Sequence, residues 1–257
     1  PSTEIAPRPD LTRPDAGIVT LSTWDTGTPH RLRQAVDAVR AVWTPGDRPH
    51  PGPLSRTVYA GEDDRSLLHQ ARAGADAYQE FARTARDARA AEIDAAVPGI
   101  ERREPRTLEP YRSRTAEHDT RAGLLVIVDV RFHGPDPARQ RARSDAVFGA
   151  GTDPKPASGG IAAHFHVGTD GARAVDHAEW RTARARIDAL ASAGGGVGAP
   201  TPQWRRAQVY PGPSGSDVRR CTPVLGLGPR DSTGGEEVTP YGTPLAMHPS
   251  RGTVMPI

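Results

Sequence analysis

The chain has 257 residues, of which 36% are hydrophobic, and 33 Lys and Arg side chains nearly balance 31 Asp and Glu to leave a net charge of +2. Because acidic residues accompany the arginines throughout, no basic surface for nucleic acid is expected, and no apolar run reaches the ~20 residues that span a membrane. Cys221 is the single cysteine, which excludes an intrachain disulfide and a cysteine-based zinc site.

The first half of the chain predicts the element order β-α-β-β-α-β, which is the split-βαβ or ferredoxin-like arrangement. Thr28 followed by Pro29 is typical of a helix start. The helix after it carries one apolar stripe, formed by Leu32, Ala35, Val36, Val39 and Val42. The other predicted elements are strands at Ile18–Trp24, Ser55–Ala60 and Ser66–Ala71, a helix at Ala75–Ala96 and a strand at Ile100–Tyr111.

The second half repeats this order. Its predicted elements are a strand at Gly123–Phe132, a helix at Pro135–Phe148, strands at Ile161–Thr169 and Arg173–Trp180, and a helix at Thr182–Ser192. The last strand has two candidate positions, Gln203–Tyr210 and Val218–Leu227. The Gly- and Pro-rich parts, namely the N-terminus, Pro45–Pro53 and the chain beyond Gly194, are predicted to be loops or tails.

Short matches recur between the halves at an offset of about 106 to 108 positions, which indicates a duplicated domain rather than a short-period solenoid. Gly17-Ile18-Val19 is matched by Gly123-Leu124-Leu125, and Leu68-His69-Gln70 by Asp176-His177-Ala178. We therefore predict an α+β protein of two fused ferredoxin-like (split βαβ) domains, at residues 14–115 and 120–230, followed by a tail at residues 231–257.

The predicted hairpin of the second half contains most of the candidate functional residues. Asp170-Gly171 between alternating apolar residues predicts a tight turn. Because side chains alternate along a strand, His164 and His166 share one face and Phe165 takes the other. On the next strand, the same alternation sets Asp176 and Ala178 against His177 and Glu179, and His177 is expected to face the helices.

These residues resemble the antibiotic-biosynthesis monooxygenase family of the dimeric α+β-barrel superfamily. The family pattern (Tyr/Phe)-His-x-Ser-Thr-Asp-Gly corresponds to the segment from Phe165 to Gly171, and its Asn-Tyr-Ala-x-Trp corresponds to Asp176-His177-Ala178-Glu179-Trp180. The chain departs from the pattern at Gly168, Asp176 and His177. The resemblance implies that the two domains form an intramolecular α+β barrel. It also implies a relation to cofactor-free oxygenases that convert aromatic polyketide anthrones to quinones, and to polyketide cyclases and haem-degrading enzymes.

An anthrone carries an acidic methylene, so an enzyme that oxidises it needs a base, hydrogen-bond donors and a dry apolar slot. We predict His166 as the base, Asp176 as the group that orients an imidazole or the substrate hydroxyl, and Trp180 as a stacking surface and donor. The predicted substrate-binding residues are His164, His177, Phe165 and Phe132. A core role for Trp180 and a satisfied buried role for His166 are the structural alternatives.

No metal and no cofactor is predicted, although His164 and His166 with a nearby carboxylate have a spacing compatible with non-haem iron. The expected partners are an aromatic polyketide and O₂, in a monomer that is a pseudo-dimer or in a homodimer. A cyclase or aromatase and a non-catalytic intermediate-binding protein remain open as alternative functions. The first residues show no basic segment followed by an apolar one, so a cytoplasmic location is expected. The first domain, with Arg72 opposite Trp180 and His69 opposite His177, is expected to be degenerate.

Overall fold

The computed structural model describes residues 2–5, 15–44, 53–103, 105–117, 120–151, 158–191 and 201–229. In the first half the elements are β1 (Ser2–Ile5), β2 (Ile18–Asp25), α1 (Pro29–Trp43), β3 (Pro53–Gly61), β4 (Ser66–Ala73), α2 (Ala75–Thr84), α3 (Arg86–Ala96), β5 (Glu101–Arg102) and β6 (Arg106–Thr115). In the second half they are β7 (Leu124–Phe132), α4 (Pro137–Ala150), β8 (Gly160–Gly168), β9 (Arg173–Trp180), α5 (Ala183–Ala191), α6 (Pro202–Gln208) and β10 (Pro213–Pro229).

The strands close into one antiparallel barrel. The sheet order is β3-β4-β2-β6 in the first half and β10-β7-β9-β8 in the second. The last strand of each half pairs with a strand of the other half: β6 pairs with β8, and β10 pairs with β3. At the second junction Cys221 lies between Gly61 and Leu125. The predicted fold, an α+β barrel of two ferredoxin-like halves within one chain, is confirmed.

The helices lie on the outside of this barrel, and local sequence signals start them. Thr28 and Asp136 cap α1 and α4 by accepting hydrogen bonds from the backbone N–H groups of Arg31 and Arg139, and a proline follows each cap. The predicted stripe of α1 is buried against the outer side of the barrel wall, in a cluster that includes Trp24, Val58, Leu67, Leu225 and Leu227.

The other side of the wall encloses the barrel interior. A second cluster there combines residues from both halves, namely Val19, Leu21, Tyr59, Leu68, Leu108, Leu125, Ile127, Val175 and Cys221. Each strand thus has one face under the helices and one face in the interior, as period-2 alternation requires. Which of these faces a polar side chain takes decides which neighbours it can reach.

Four predicted elements are corrected. The helix expected at Ala75–Ala96 is broken at Ala85, where the backbone leaves the helical region (φ −136°, ψ −21°) and the Thr84 hydroxyl bonds back to the Glu80 carbonyl. The strand expected at Ile100–Tyr111 is interrupted before β6, where Pro105 has no N–H to donate.

Gln203–Tyr210 holds helix α6, because Thr201 caps it and Pro202 begins it, so the last strand is the one that contains Val218–Leu227. Ser2–Ile5, expected to be loop, forms β1 beside β10. The expected loop over Pro45–Pro53 falls at residues 45–52 outside the described residues, and so do the Gly-rich stretch at residues 192–200 and the tail at residues 231–257.

Candidate active site

The β8–β9 hairpin divides its side chains between the two faces of the wall. Gly171 closes the turn with φ +74°, a conformation that favours glycine, and its N–H donates to the Gly168 carbonyl at 3.1 Å. The register pairs His164 with His177 and Phe165 with Asp176. Because directly opposite residues share a face, the histidines form one group and the Phe165–Asp176 pair belongs to another.

The three histidines lie in the barrel interior, each at most 3% exposed. The rings of His166 and His177 are 6.1 Å apart, and the His177 ring is 6.1 Å from Tyr59 of β3, across the barrel. His164 Nδ1 is 2.9 Å from the Ser113 hydroxyl. Burial, together with Arg72 and His164, lowers the pKa of His166 to about 3, and burial lowers the pKa of His177 well below its usual value. Because both pKa values are lowered, the His166 and His177 imidazoles are neutral near pH 7.

Arg72 defines the tautomer of His166. Its Nη2 lies 3.5 Å from His166 Nε2, and a guanidinium can only donate, so Nε2 is the acceptor nitrogen and Nδ1 carries the proton. The basic nitrogen of His166 therefore faces a cation, which is a poor arrangement for a general base.

The second group lies on the outer face, beneath α4 and α5. The Asp176 carboxylate binds Arg143 of α4 through Oδ2, and its Oδ1 is buried without a hydrogen-bond partner among the described residues. Burial raises the pKa of Asp176, while the charge and the hydrogen bond of Arg143 act in the opposite direction. A buried carboxylate with one unsatisfied oxygen is a strong acceptor, because no water competes for it.

Aromatic side chains lie on the same outer face of the sheet as this carboxylate. Phe165 stacks edge-on against Phe148 of α4, with ring centroids 5.5 Å apart. Trp180 packs in a cluster with Leu124, Val126 and Ala189 of α5. Phe132 lies further along β7, against Val130 and Ala174. The outer face thus offers a carboxylate, a guanidinium and an apolar aromatic wall.

The predicted site residues therefore fall into two separate groups. His164, His166 and His177 lie inside the barrel, whereas Asp176, Trp180, Phe165 and Phe132 lie outside it, so His166 cannot act on the same atom as Asp176 and Trp180. The expectation that His177 faces the helices is wrong. The two side chains do point to opposite faces of the strand, as expected. Helix α4 covers the face of Asp176, so His177 points into the barrel.

The alignment of the two halves changes on this strand as well. His69 lies on the outer face beside Trp24, with ring centroids 5.3 Å apart, whereas His177 is interior. Arg72 is interior, whereas Trp180 is exterior. A shift of one residue reverses every side chain of a strand, so an offset of 107 on β4 and β9 matches His69 with Asp176 and Arg72 with Glu179.

Sequence reasoning missed Arg143. It lies on the inner side of α4 near Gln140 and Ser144, and all three are buried. A helix face that repeats polar residues at this spacing, where apolar ones are expected, is the signal that could have identified it. It also missed the arginines of the first half, Arg56, Arg89 and Arg102, which lie over the rings of Trp24 and Trp43.

The described residues contain neither a cluster suited to a metal ion nor a helix suited to span a membrane. No three or more His, Cys, Asp or Glu side chains in that part of the chain are grouped so that they could hold a metal ion. None of the helices within it is long and apolar enough to cross a membrane.

Comparison with known proteins gives structural matches alone. No family model and no curated protein matches the sequence. An anthrone oxidase-like protein superposes with a TM-score of 0.65 at 15% identity, over 88% of this chain and 95% of that one. A protein named as a monooxygenase from Fusobacterium nucleatum subsp. nucleatum gives 0.54 at 7% identity, over 84% and 96%.

A third structure, named as a monooxygenase from Lactobacillus acidophilus NCFM, gives a TM-score of 0.52 at 9% identity, over 81% of this chain and 95% of that one. At such identities the likeness shows a shared fold. The resemblance found in the hairpin sequence is therefore confirmed at the level of the fold.

Proposed function

We propose that the chain is a cofactor-independent oxygenase that converts a polycyclic aromatic polyketide of the anthrone type to a quinone with O₂, in bacterial antibiotic biosynthesis. The observation that carries the proposal is the buried Asp176 carboxylate, with Arg143 on one oxygen and no partner on the other among the described residues. The shared fold with an anthrone oxidase-like protein supports the same reaction class.

In this proposal Asp176, rather than His166, is the general base. Its raised pKa makes it a better proton acceptor than an ordinary carboxylate, and Arg143 holds it ionised. Asp176 Oδ1 takes one proton from the acidic methylene, which leaves a delocalised carbanion. The Arg143 guanidinium, next to the carboxylate, stabilises the negative charge that moves to the substrate oxygen.

The oxidation then needs only O₂. The carbanion gives one electron to O₂, and the resulting radical and superoxide combine to form a C–O bond. After protonation, the hydroperoxide loses water as its carbon gives up the second methylene hydrogen, and a carbonyl is formed. One O₂ is consumed for each quinone and each water produced, so no reductant is required.

The surroundings of Asp176 suit such a substrate. Phe165 and Phe148 provide aromatic edges, and Trp180 provides a large ring on the same face. Fused aromatic rings bury well against such side chains, and exclusion of water strengthens the Asp176–Arg143 electrostatics. His164, His177 and Phe132 are not part of this site in the proposal.

Helix α5 covers the Trp180 end of this face, and its displacement would open a path toward Asp176. Ala189 is the one residue of α5 that is fully buried, while Ile187 and Leu190 are 55% and 45% exposed. A helix that buries so little apolar surface is bound weakly to the sheet, and opening of such a helix costs little free energy.

Oxygen uptake tests the function. Metal-stripped, flavin-free protein is given a tricyclic anthrone, with O₂ consumption followed by an electrode and quinone formation by absorbance. Protein-dependent uptake with one O₂ for each quinone is the expected result. Conversion of a polyketide substrate without O₂ would instead identify a cyclase or aromatase. Binding without turnover under air would identify an intermediate-binding protein.

A further inference from the structure

The first half contains a buried cation on the outer face of β3. Arg56 is 5% exposed, and the central carbon of its guanidinium lies 3.3 Å from the centroid of the Trp43 ring. Phe81 of α2 adjoins both groups, with its ring 5.3 Å from the guanidinium and 5.5 Å from the Trp43 ring. A charged group in such apolar surroundings is costly unless a partner compensates it.

The described residues supply no such anionic partner. Arg56 Nη1 lies 3.3 Å from His69 Nε2, and because Arg56 can only donate, this His69 nitrogen accepts. Burial, Arg56 and Arg102 lower the pKa of His69 to about 3, so the imidazole brings no charge. A second arginine, Arg89, also lies near the Trp43 ring, with its guanidinium 5.3 Å from the ring centroid, so it adds another positive charge.

One edge of the Arg56 guanidinium carries hydrogen-bond donors that the described residues leave unsatisfied. Arg56 Nε and Nη2 are buried and have no hydrogen-bond partner among the described residues, and the same holds for the indole Nε1 of Trp43. Nε and Nη2 form the side of an arginine that binds a carboxylate with two parallel hydrogen bonds. Three buried donors without acceptors in one aromatic cluster indicate a missing acceptor rather than a packing arrangement.

We propose that this cluster, formed by Arg56, Trp43, His69 and Phe81, is a second ligand site, and that it binds a carboxylate carried on a planar aromatic body. Arg56 anchors the carboxylate through Nε and Nη2, and the rings of Trp43 and Phe81 contact the aromatic part. His69 acts as a positioning residue, because it holds Nη1 and so orients the other edge of the guanidinium.

Two further observations support a ligand here. Burial and Arg89 lower the pKa of Arg56 to about 9, and a bound anion would oppose both effects. Helix α2, which brings Phe81 over the cluster, has no fully buried residue and ends at the break at Ala85. A weakly buried helix above three unsatisfied donors can move to admit a ligand.

The site is tested by calorimetric titration of the whole chain with 2-naphthoate and with its neutral analogue 2-naphthamide. We expect 2-naphthoate to bind about tenfold or more tightly than the amide, since hydrogen bonds to a charged group are lost with the amide. Arg56→Met should weaken 2-naphthoate by a similar factor. Arg141→Met is the matched control, because Arg141 also lies over a ring, that of Tyr111, but is exposed.

Arg56→Met also separates a ligand site from a structural role. Removal of an uncompensated buried cation should leave the protein folded and at least as resistant to urea as the natural chain. Equal binding of acid and amide, or unchanged binding in Arg56→Met, would overturn the proposal. Lower urea resistance with unchanged binding would assign Arg56 to the fold. Oxygen uptake depends on Asp176 instead, so failure of either proposal is seen independently.

Discussion

Phe165 and Asp176 lie directly opposite each other on β8 and β9, and both side chains face α4. This pair places an aromatic ring beside a buried carboxylate, with Arg143 holding the carboxylate from the helix. The next interior position on each strand is a histidine, so the same hairpin presents an acid with aromatic residues on one face and neutral imidazoles on the other. The barrel wall keeps these two sets of groups apart.

Asp176→Asn should lower kcat for anthrone oxidation by ~10²–10⁴, because an amide cannot accept the substrate proton. The measurement is oxygen uptake at saturating substrate. Asp217→Asn is the matched control, because Asp217 is also paired with an arginine, Arg131, but is 40% exposed and lies outside the site. Near-normal turnover by Asp176→Asn would remove Asp176 from the role of base.

Loss of activity in that variant must be separated from loss of the fold, since it leaves the Arg143 charge buried without its carboxylate. Such a broken pair costs about 3–5 kcal/mol. The double variant Asp176→Asn/Arg143→Met removes both charges and should recover most of the lost stability in urea unfolding while it stays inactive. Recovery of activity together with stability would show that the pair serves the fold alone.

Arg143→Met should move the pH dependence of oxidation upward. Turnover requires ionised Asp176, so kcat/KM rises as pH passes through the pKa of this carboxyl. That pKa is raised by burial and lowered by Arg143, so loss of Arg143 raises it further. The acid limb of the kcat/KM profile then shifts to higher pH.

Arg143→Lys should restore part of that shift because it keeps the charge. Arg131→Met, which removes a half-exposed arginine from a pair with Asp217, should leave the profile in place. An unchanged acid limb in Arg143→Met would mean that another group, for example a barrel histidine, controls the ionisation.

The fold was accessible from sequence because its signals are local. The Thr28 cap, the apolar stripe from Leu32 to Val42 and the Asp170-Gly171 turn each specify an element through contacts within a few residues. The repeated element order then specified the barrel through the family resemblance. The break at Ala85 was not accessible, since alanine favours helix and the interruption depends on Thr84 and the surrounding packing.

The site was only partly accessible, for a different reason. Alternation correctly separated Phe165 from His166 and Asp176 from His177, but it does not say which face of a strand is covered by helices and which is enclosed. That choice depends on the partner elements, since only α4 brings Arg143 to Asp176. The buried Arg56 was missed because a lone arginine in a strand is usually exposed, and its aromatic neighbours come from α1 and α2.

Gly123→Ala should destabilise the protein, because a Cβ at this position would overlap the backbone carbonyl oxygen of Arg181. Backbone at this junction cannot move without disturbing the start of β7, where the Gly123 N–H donates to the Trp180 carbonyl at 3.0 Å. We expect a loss of about 1–3 kcal/mol in the free energy of unfolding, measured by urea denaturation.

Gly149→Ala provides the matched comparison. Gly149 is exposed within α4, and a Cβ there would meet nothing within 4 Å. Alanine favours helix over glycine, so this change should raise stability by about 0.5–1 kcal/mol. Equal effects of the two substitutions would contradict the close approach at Gly123.

The interior histidines should make the protein acid-sensitive. His166 has a folded pKa of about 3 against an unfolded reference of 6.5, so between these values the unfolded chain binds more protons than the folded one. Stability therefore falls as pH decreases from 6.5 toward 3, and His177 and His69, whose pKa values are also lowered, add to the effect.

In His166→Gln the pH dependence of the free energy of unfolding near pH 5 should weaken by about 1.4 kcal/mol per pH unit, the value for one proton. Urea unfolding at several pH values measures this slope, with His30→Gln, an exposed position on α1, as control. The same slope in both variants would mean that His166 is protonated in the folded barrel, which its contact with Arg72 opposes.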